Sequence, residues 1–190
     1  MTFGELQRVW RADLHRYVGR SDARTLARAL VMLPGYRYTF AMRGCRYVTE
    51  RWPGAAVRVL AQLLLRRYEY RYGITIPFET QVGEGLYIGH FGAIVVSHRA
   101  VIGRNCNLSQ GVTLGIANRG SRRGAPVIGD GVYVGPGAKI VGAVTVGDNV
   151  AIGANSVVTK DVPDNAVVVG VPARVISHDG AADYVTHTDY

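Results

Sequence analysis

The chain has 190 residues, 48% apolar and 19% charged, with a formal net charge of +8. This is a globular composition and excludes a disordered chain. Two cysteines, Cys45 and Cys106, are too few for a disulfide scaffold or a cysteine-rich zinc site. No apolar run reaches the ~20 residues of a bilayer span, and the sequence from Met1 to Glu5 has no signal pattern. A cytoplasmic protein is expected.

Charge divides the chain near Gly73. Residues 1–73 hold 14 arginines, no lysine, five acids and 7 of the 11 tyrosines. The remainder is close to neutral and holds 18 of the 24 glycines. Three regions are expected: an α-helical N-terminal region over 1–73, a β domain over 74–176 and a C-terminal tail over 177–190.

In the first region, Leu6, Val9, Trp10, Leu14 and Tyr17 recur at helical spacing, and Gly19 suits a stop. Asp22 is an N-cap candidate for a second helix running to Leu33 and ended by Pro34-Gly35. Two more helices are expected over 36–51 and 55–72, parted by Pro53-Gly54. The arginines read as solvated faces and contacts to a neighbouring module. No nucleic-acid motif accompanies them, so no nucleic-acid partner is expected. Arg66-Arg67 and the tyrosines from Tyr68 to Tyr72 leave peripheral contact with an anionic membrane open, at the inner face of the membrane.

The second region carries a six-residue repeat. Aliphatic residues stand at Ile76, Val82, Ile88 and Ile94, then at Ile102, Leu108 and Leu114, then at Ile128, Val134, Ile140, Val146, Ile152 and Val158. Small or apolar residues follow four positions later at Val132, Ala138, Val144, Val150, Ser156 and Val162. Helices repeat at 3.6 and hairpin strands at 2, so neither explains a strict six. A coil of three short strands with tight corners does, and its neighbours stack at parallel-strand spacing. A parallel β-helix is expected, with three hexads to each coil.

Interruptions of the repeat mark the working face. A two-residue insertion is placed around His98-Arg99, and an eight-residue one within the Gly-rich, cationic loop from Gly115 to Pro126. His90 lies in a regular hexad between Gly89 and Gly92, where small neighbours let a ligand approach the imidazole. Only His90 and His98 lie in the repeat, so no three-histidine metal site is available and no metal is expected. Cys106, on an inward position, reads as packing. Pro136, Ala154 and Pro172 recur at intervals of three hexads, one full coil each, and are expected to stack along one edge. The groove they leave suits a long, thin ligand, with Lys160, Arg174, Arg122 and Arg123 near for phosphates.

Taken together, Ile88-Gly89-His90-Phe91-Gly92, Ala100-Val101-Ile102-Gly103, Ser109-Gln110-Gly111-Val112-Thr113-Leu114-Gly115, Gly135-Pro136-Gly137-Ala138-Lys139-Ile140 and Gly170-Val171-Pro172-Ala173-Arg174 resemble the hexapeptide-repeat acetyltransferases, specifically the serine acetyltransferase-like group. The resemblance covers about residues 20–176. It implies a left-handed coil and a homotrimer that binds acetyl-CoA between adjacent solenoids and acetylates a hydroxyl. His90 matches the catalytic histidine, which acts as general base. A backbone N–H at Gly111 or Gly115 faces the developing oxyanion. Gly115, Ile116, Ala117, Arg122, Arg123, Pro136, Ala154, Lys160, Pro172 and Arg174 fall on the CoA side.

The acceptor side departs from the pattern. The aspartate supporting the histidine falls at Thr75, and the aspartate preceding it is Gly89. An Arg-His pair reads Gly124-Ala125, and Asp22, followed by Ala23, matches a further acceptor-binding acid. A retained donor with a changed acceptor resembles the enzymes that O-acetylate sugars in exopolysaccharide or capsule assembly. The acceptor is thus expected to be a saccharide or another small molecule. Serine O-acetylation in cysteine biosynthesis is the alternative, and a non-catalytic β-helix assembly module the next.

Overall fold

A computed structural model describes residues 1–54 and 56–190. Among them are four helices: α1 (Phe3–Val18), α2 (Ala23–Met32), α3 (Pro34–Arg51) and α4 (Ala56–Tyr72). Ala55, expected in the fourth helix, lies outside the described residues. Thr2 opens α1 with a reciprocal capping box to Glu5, and Gly19 closes it in the left-handed conformation at φ 67°. Pro34 was expected to end the second helix and instead opens the third. A first-turn proline loses no helical hydrogen bond, so only Leu33 separates α2 from α3.

The strands are β1 (Ile74–Thr75), β2 (Gln81–Val82), β3 (Ile94–Val96), β4 (Val101–Ile102), β5 (Asn107–Leu108), β6 (Thr113–Gly115), β7 (Val127–Ile128), β8 (Tyr133–Val134), β9 (Lys139–Val141), β10 (Thr145–Val146), β11 (Ala151–Ile152), β12 (Val157–Val158), β13 (Val167–Gly170) and β14 (Ala173–Ser177). They form three walls, in the orders β1-β3-β6-β9-β12, β10-β7-β4-β2 and β14-β13-β11-β8-β5. All pairings are parallel except β13 with β14. The chain is a left-handed parallel β-helix preceded by helices.

The repeat aliphatics fill the prism. All are buried except Val82, which is half-buried, and Val132, Ala138, Val144, Val150, Ser156 and Val162 are buried with them. The glycines that follow the aliphatics serve close approach rather than a left-handed corner. A Cβ on Gly129 would stand 2.4 Å from Asp148 Oδ1, which accepts the Asp130 N–H from the neighbouring coil. The left-handed positions fall two residues later, at Gly131 and Asn149.

A buried ion pair is among the ties that fasten the helices to the first coil, beside the Tyr38 hydroxyl on both backbone polar groups of Ile76. Asp13 is fully buried and accepts from the Gly85 and Leu86 N–H groups at 2.9 and 3.0 Å. Arg43 donates to Asp13 at 3.2 Å and to the Val82 and Gly83 carbonyls at 2.6 Å each. Burial pushes the Asp13 carboxyl up from its ordinary value, and the Arg43 charge opposes that. The segment after β14 runs back along the third wall. Tyr184 stacks on Tyr133 at 4.3 Å, and Tyr190 donates to Asn105 at 2.8 Å. No helix among the described residues is long and apolar enough to cross a membrane.

Candidate active site

The insertion that interrupts the repeat lies at His90. Val96 pairs with Leu114, and Tyr87 bridges Asn107, so Ile88 and Val96 correspond to Leu108 and Leu114 one coil on. The second pair stands one hexad apart, and the first is two residues wider. The extra two residues therefore belong to the corner holding His90, not to His98-Arg99. Those two form a compact turn, with Arg99 N–H on Ser97 Oγ at 3.1 Å. The sequence reading misplaced the insertion because Ile94 and Val96 both point inward. Within the widened corner His90 is exposed, Gly92 has φ 113° and Ala93 has φ 52°. An alanine in that region is a strained position, of the kind that gathers at functional sites.

The helices hold this corner. Tyr17 Oη donates to the Ile88 carbonyl at 3.1 Å and accepts the Ile88 N–H at 3.0 Å. Gly35 lies against the same residue: a Cβ there would be 2.0 Å from Ile88 O. Phe91 packs edge-on to Tyr72 at 5.6 Å, and Tyr72 Oη accepts from Arg37 at 2.9 Å. Tyr17 and Gly35 carried no chemical signal in the sequence, because their role is to seat a corner far along the chain.

Three expected acceptor residues are separately placed. At Gly89, a Cβ would meet the Tyr87 ring, 2.8 Å from Oη and 2.9 Å from Cε1, and Tyr87 is itself packed on Tyr17. Tyr87 thus occupies the space a side chain at 89 would need. Thr75 is exposed on β1 and lines a groove with Leu63, Arg66, Glu69, Phe78 and Glu79. Glu69 is raised above its ordinary pKa by burial, with Arg66 opposing and Glu79 adding to the rise. Two carboxyls missed from sequence therefore flank Thr75. Asp22 caps α2, accepting from the Thr25 N–H at 2.9 Å and its hydroxyl at 2.7 Å, which hold its pKa below the ordinary value. It lines a cleft of about 520 Å³ with Arg20, Arg24 and Arg28, and His90 does not line that cleft.

On the donor side, the long loop leaves Gly115, passes Ile116, and closes on itself through paired hydrogen bonds between Ala117 and Gly124. Arg122 donates to the Ala143 carbonyl at 3.2 Å and pairs with Asp161 at 2.8 Å, while Arg123 is exposed. Lys160 and Arg174 are also exposed. The expected stack of Pro136, Ala154 and Pro172 is only partly formed. Val134 pairs with Ile152, one full coil of three hexads on, which aligns Pro136 with Ala154. Ile152 then pairs with Val168, two residues short of a full coil, so Gly170 takes the third place. Pro172 lies beyond it, at the turn between β13 and the antiparallel β14. The cause is a shortened last coil, with Val162 bridging Val146.

Among the oxyanion candidates, the Gly111 N–H is already bonded to the Gly92 carbonyl at 2.8 Å. Cys106 is fully buried, and burial pushes its thiol up to about 12, which removes it as a nucleophile. No group of three or more His, Cys, Asp or Glu that would hold a metal converges among the described residues.

Comparisons with known proteins define the class first. Residues 125–160 match the family model described as bacterial transferase hexapeptide (six repeats). A serine acetyltransferase of Helicobacter pylori strain J99 is 34% identical over 157 residues, covering 83% of this chain and 90% of that protein. That of Synechococcus elongatus is 34% identical over 158 residues, covering 83% of this chain. The alignment spans 63% of the Synechococcus protein, so the chain corresponds to less than two thirds of that relative's length. The Neisseria gonorrhoeae serine acetyltransferase, solved in complex with serine, superposes with a TM-score of 0.76 at 32% identity, covering 92% of this chain and 70% of that one. A serine acetyltransferase solved in complex with CoA gives 0.74 at 30% identity over 92% of this chain and 70% of that one. The chain belongs to the serine acetyltransferase family of hexapeptide-repeat proteins. These relatives are serine acetyltransferases where the acceptor departures pointed toward capsule and exopolysaccharide enzymes.

Proposed function

We propose that the protein transfers the acetyl group of acetyl-CoA to the hydroxyl of L-serine. The observation that carries this reading is the alignment over 90% of the Helicobacter serine acetyltransferase, with His90 in the widened corner. In the proposed step, neutral His90 removes the hydroxyl proton as the oxygen attacks the thioester carbonyl. The tetrahedral intermediate collapses with cleavage of the C–S bond, and the imidazolium returns the proton to the CoA thiolate. A positioned base of this kind contributes ~10²–10⁴-fold. Gly111 N–H is engaged by the Gly92 carbonyl and Gly115 pairs with Val141 in the β6–β9 ladder, so either one serves the oxyanion only by giving up a wall hydrogen bond. The loop from Gly115 through Arg123, the Pro136–Ala154 edge and the exposed Lys160 and Arg174 form the proposed CoA side, and Pro172 flanks it. A homotrimer completes the site, supported by Phe91 and Val95 exposed at 48% and 49% beside His90.

A second acceptor, a sugar hydroxyl, is favoured by two features: Tyr87 fills the space beside Gly89, and Thr75 is no anion. Free-thiol release from acetyl-CoA, with L-serine against a panel of sugars and nucleotide-sugars, separates the two. Turnover on serine upholds the first reading. Inert serine with an active sugar replaces it with the second, and near-native turnover of His90→Ala overturns the mechanism for either acceptor.

A further inference from the structure

Helix α4 buries one face and leaves the other apolar and uncovered. Leu65 and Tyr72 are buried, whereas Leu60, Leu63 and Leu64 are 64%, 60% and 47% exposed. Leu60, Leu63, Leu64, Arg67 and Arg71 follow at spacings of three and four and so share one stripe. Tyr70, near the C-terminal end of α4, is 81% exposed. Arg67 and Arg71 are exposed, and the one carboxylate of α4, Glu69, turns away into the groove beside Thr75.

We propose that this stripe docks on an anionic phospholipid surface, with α4 lying in the headgroup plane. The leucines enter the acyl boundary, Tyr70 sits at headgroup level, and the arginines meet lipid phosphates. Charge argues against a two-fold pairing of the stripe with a second copy of the chain. Pairing two such faces about a two-fold axis sets Arg67 and Arg71 against their own copies, with no carboxylate on the stripe to answer them. A second feature suits lipid. An apolar cleft of about 520 Å³, lined by Trp10, Phe40, Val48, Leu64 and Tyr68, opens beside the stripe through Leu64 and offers apolar walls to a hydrocarbon chain.

The test is co-sedimentation of the full chain with vesicles of phosphatidylglycerol and phosphatidylcholine against vesicles of phosphatidylcholine alone. With about fivefold per arginine near the surface, Arg67 and Arg71 predict roughly 25-fold preference for the anionic vesicles, weakened by salt. Leu60→Gln with Leu64→Gln, and separately Arg67→Gln with Arg71→Gln, are expected to lose binding. All four positions are exposed, so the thermal midpoint and acetyl-CoA turnover are expected to hold. Equal partition into both vesicles overturns the proposal, as does no partition into either. So does a wild-type particle that the leucine variant splits into smaller ones without lipid, since a second copy then covers the stripe.

Discussion

Tyr17 Oη bridges both backbone polar groups of Ile88, accepting its N–H at 3.0 Å and donating to its carbonyl at 3.1 Å. One hydroxyl on the first helix therefore fixes the strand end from which the His90 corner departs. Burial raises the Tyr17 pKa far above its ordinary value, so the hydroxyl stays protonated and keeps both bonds. Tyr17→Phe leaves an N–H and a carbonyl without their partner and is expected to cost about 1–3 kcal/mol. Its more specific effect falls on catalysis: kcat drops while KM for acetyl-CoA holds, because the corner shifts and the donor edge does not. Thermal unfolding and thiol-release kinetics on one preparation check both parts. Unchanged kcat would show that the corner keeps its geometry without the bridge.

Two glycines of α3 predict opposite outcomes for one substitution. Gly35→Ala puts a Cβ 2.0 Å from the Ile88 carbonyl oxygen, a backbone atom that cannot swing aside, and 2.8 Å from the Tyr17 hydroxyl that bridges the same residue. Such overpacking costs about 1–3 kcal/mol or more, and here it also pushes on the corner. At Gly44 the nearest atom to a new Cβ is Trp10 Cζ2 at 3.5 Å, an ordinary contact in a helix interior. Gly44→Ala is expected to stabilise by about 0.5–1 kcal/mol through helix propensity and a less free unfolded chain. Chemical denaturation of the two variants side by side measures the sign.

The β-helix was legible because its physics repeats. Each inward aliphatic meets the same narrow prism, so Ile128 to Val158 show the pattern without exception. Legibility failed where two periods overlap. Ile94 and Val96 are both inward, so the sequence offered two ways to count, and the wrong one moved the insertion to His98. It failed again at Val162, where a short last coil shifted Pro172 out of the stack. His90 was found from its glycine neighbours. The contacts that seat it, from Tyr17, Gly35 and Tyr87, were beyond reach because nothing local relates Tyr17 to Ile88.

The buried pair of Arg43 and Asp13 predicts an asymmetric response. Arg43→Met removes the charge that answers a carboxylate with 0% exposure and also strips donors from the Val82 and Gly83 carbonyls. Breaking a buried pair from one side typically costs about 3–5 kcal/mol. The helices are expected to separate from the first coil before the coil itself melts, since the later coils do not contact Asp13. Hydrogen exchange would show it as lost protection in α1 and α3 with protection kept in β8 and β11. Simultaneous loss everywhere would mean that the helices and solenoid unfold as one unit.

The long loop is tied to the solenoid by the Ala143 N–H on the Arg122 carbonyl and by an exposed ion pair, and that pair predicts an acid limb for donor binding. Asp161 accepts from Arg122 at 2.8 Å and from the Thr145 N–H at 2.9 Å. The Arg122 bond foremost, then the backbone bond, hold its carboxyl below its ordinary value of 3.8. A carboxyl depressed in the folded state contributes fully above its unfolded value, and the contribution is lost as pH falls through the folded one. The loop is therefore expected to stay docked at neutral pH and to loosen below about pH 4, with protection of the Ala117 and Gly124 amides falling first. Asp161→Ala should loosen it at neutral pH, leaving the Ala143 bonds to hold Arg122, and speed tryptic cleavage after Arg119, Arg122 and Arg123. Both residues are exposed, so the fold should hold and the thermal midpoint should barely move. If the loop closes over CoA, KM for acetyl-CoA rises in Asp161→Ala while kcat at saturation stays near wild type. An unchanged KM beside faster cleavage would separate the loop from donor binding.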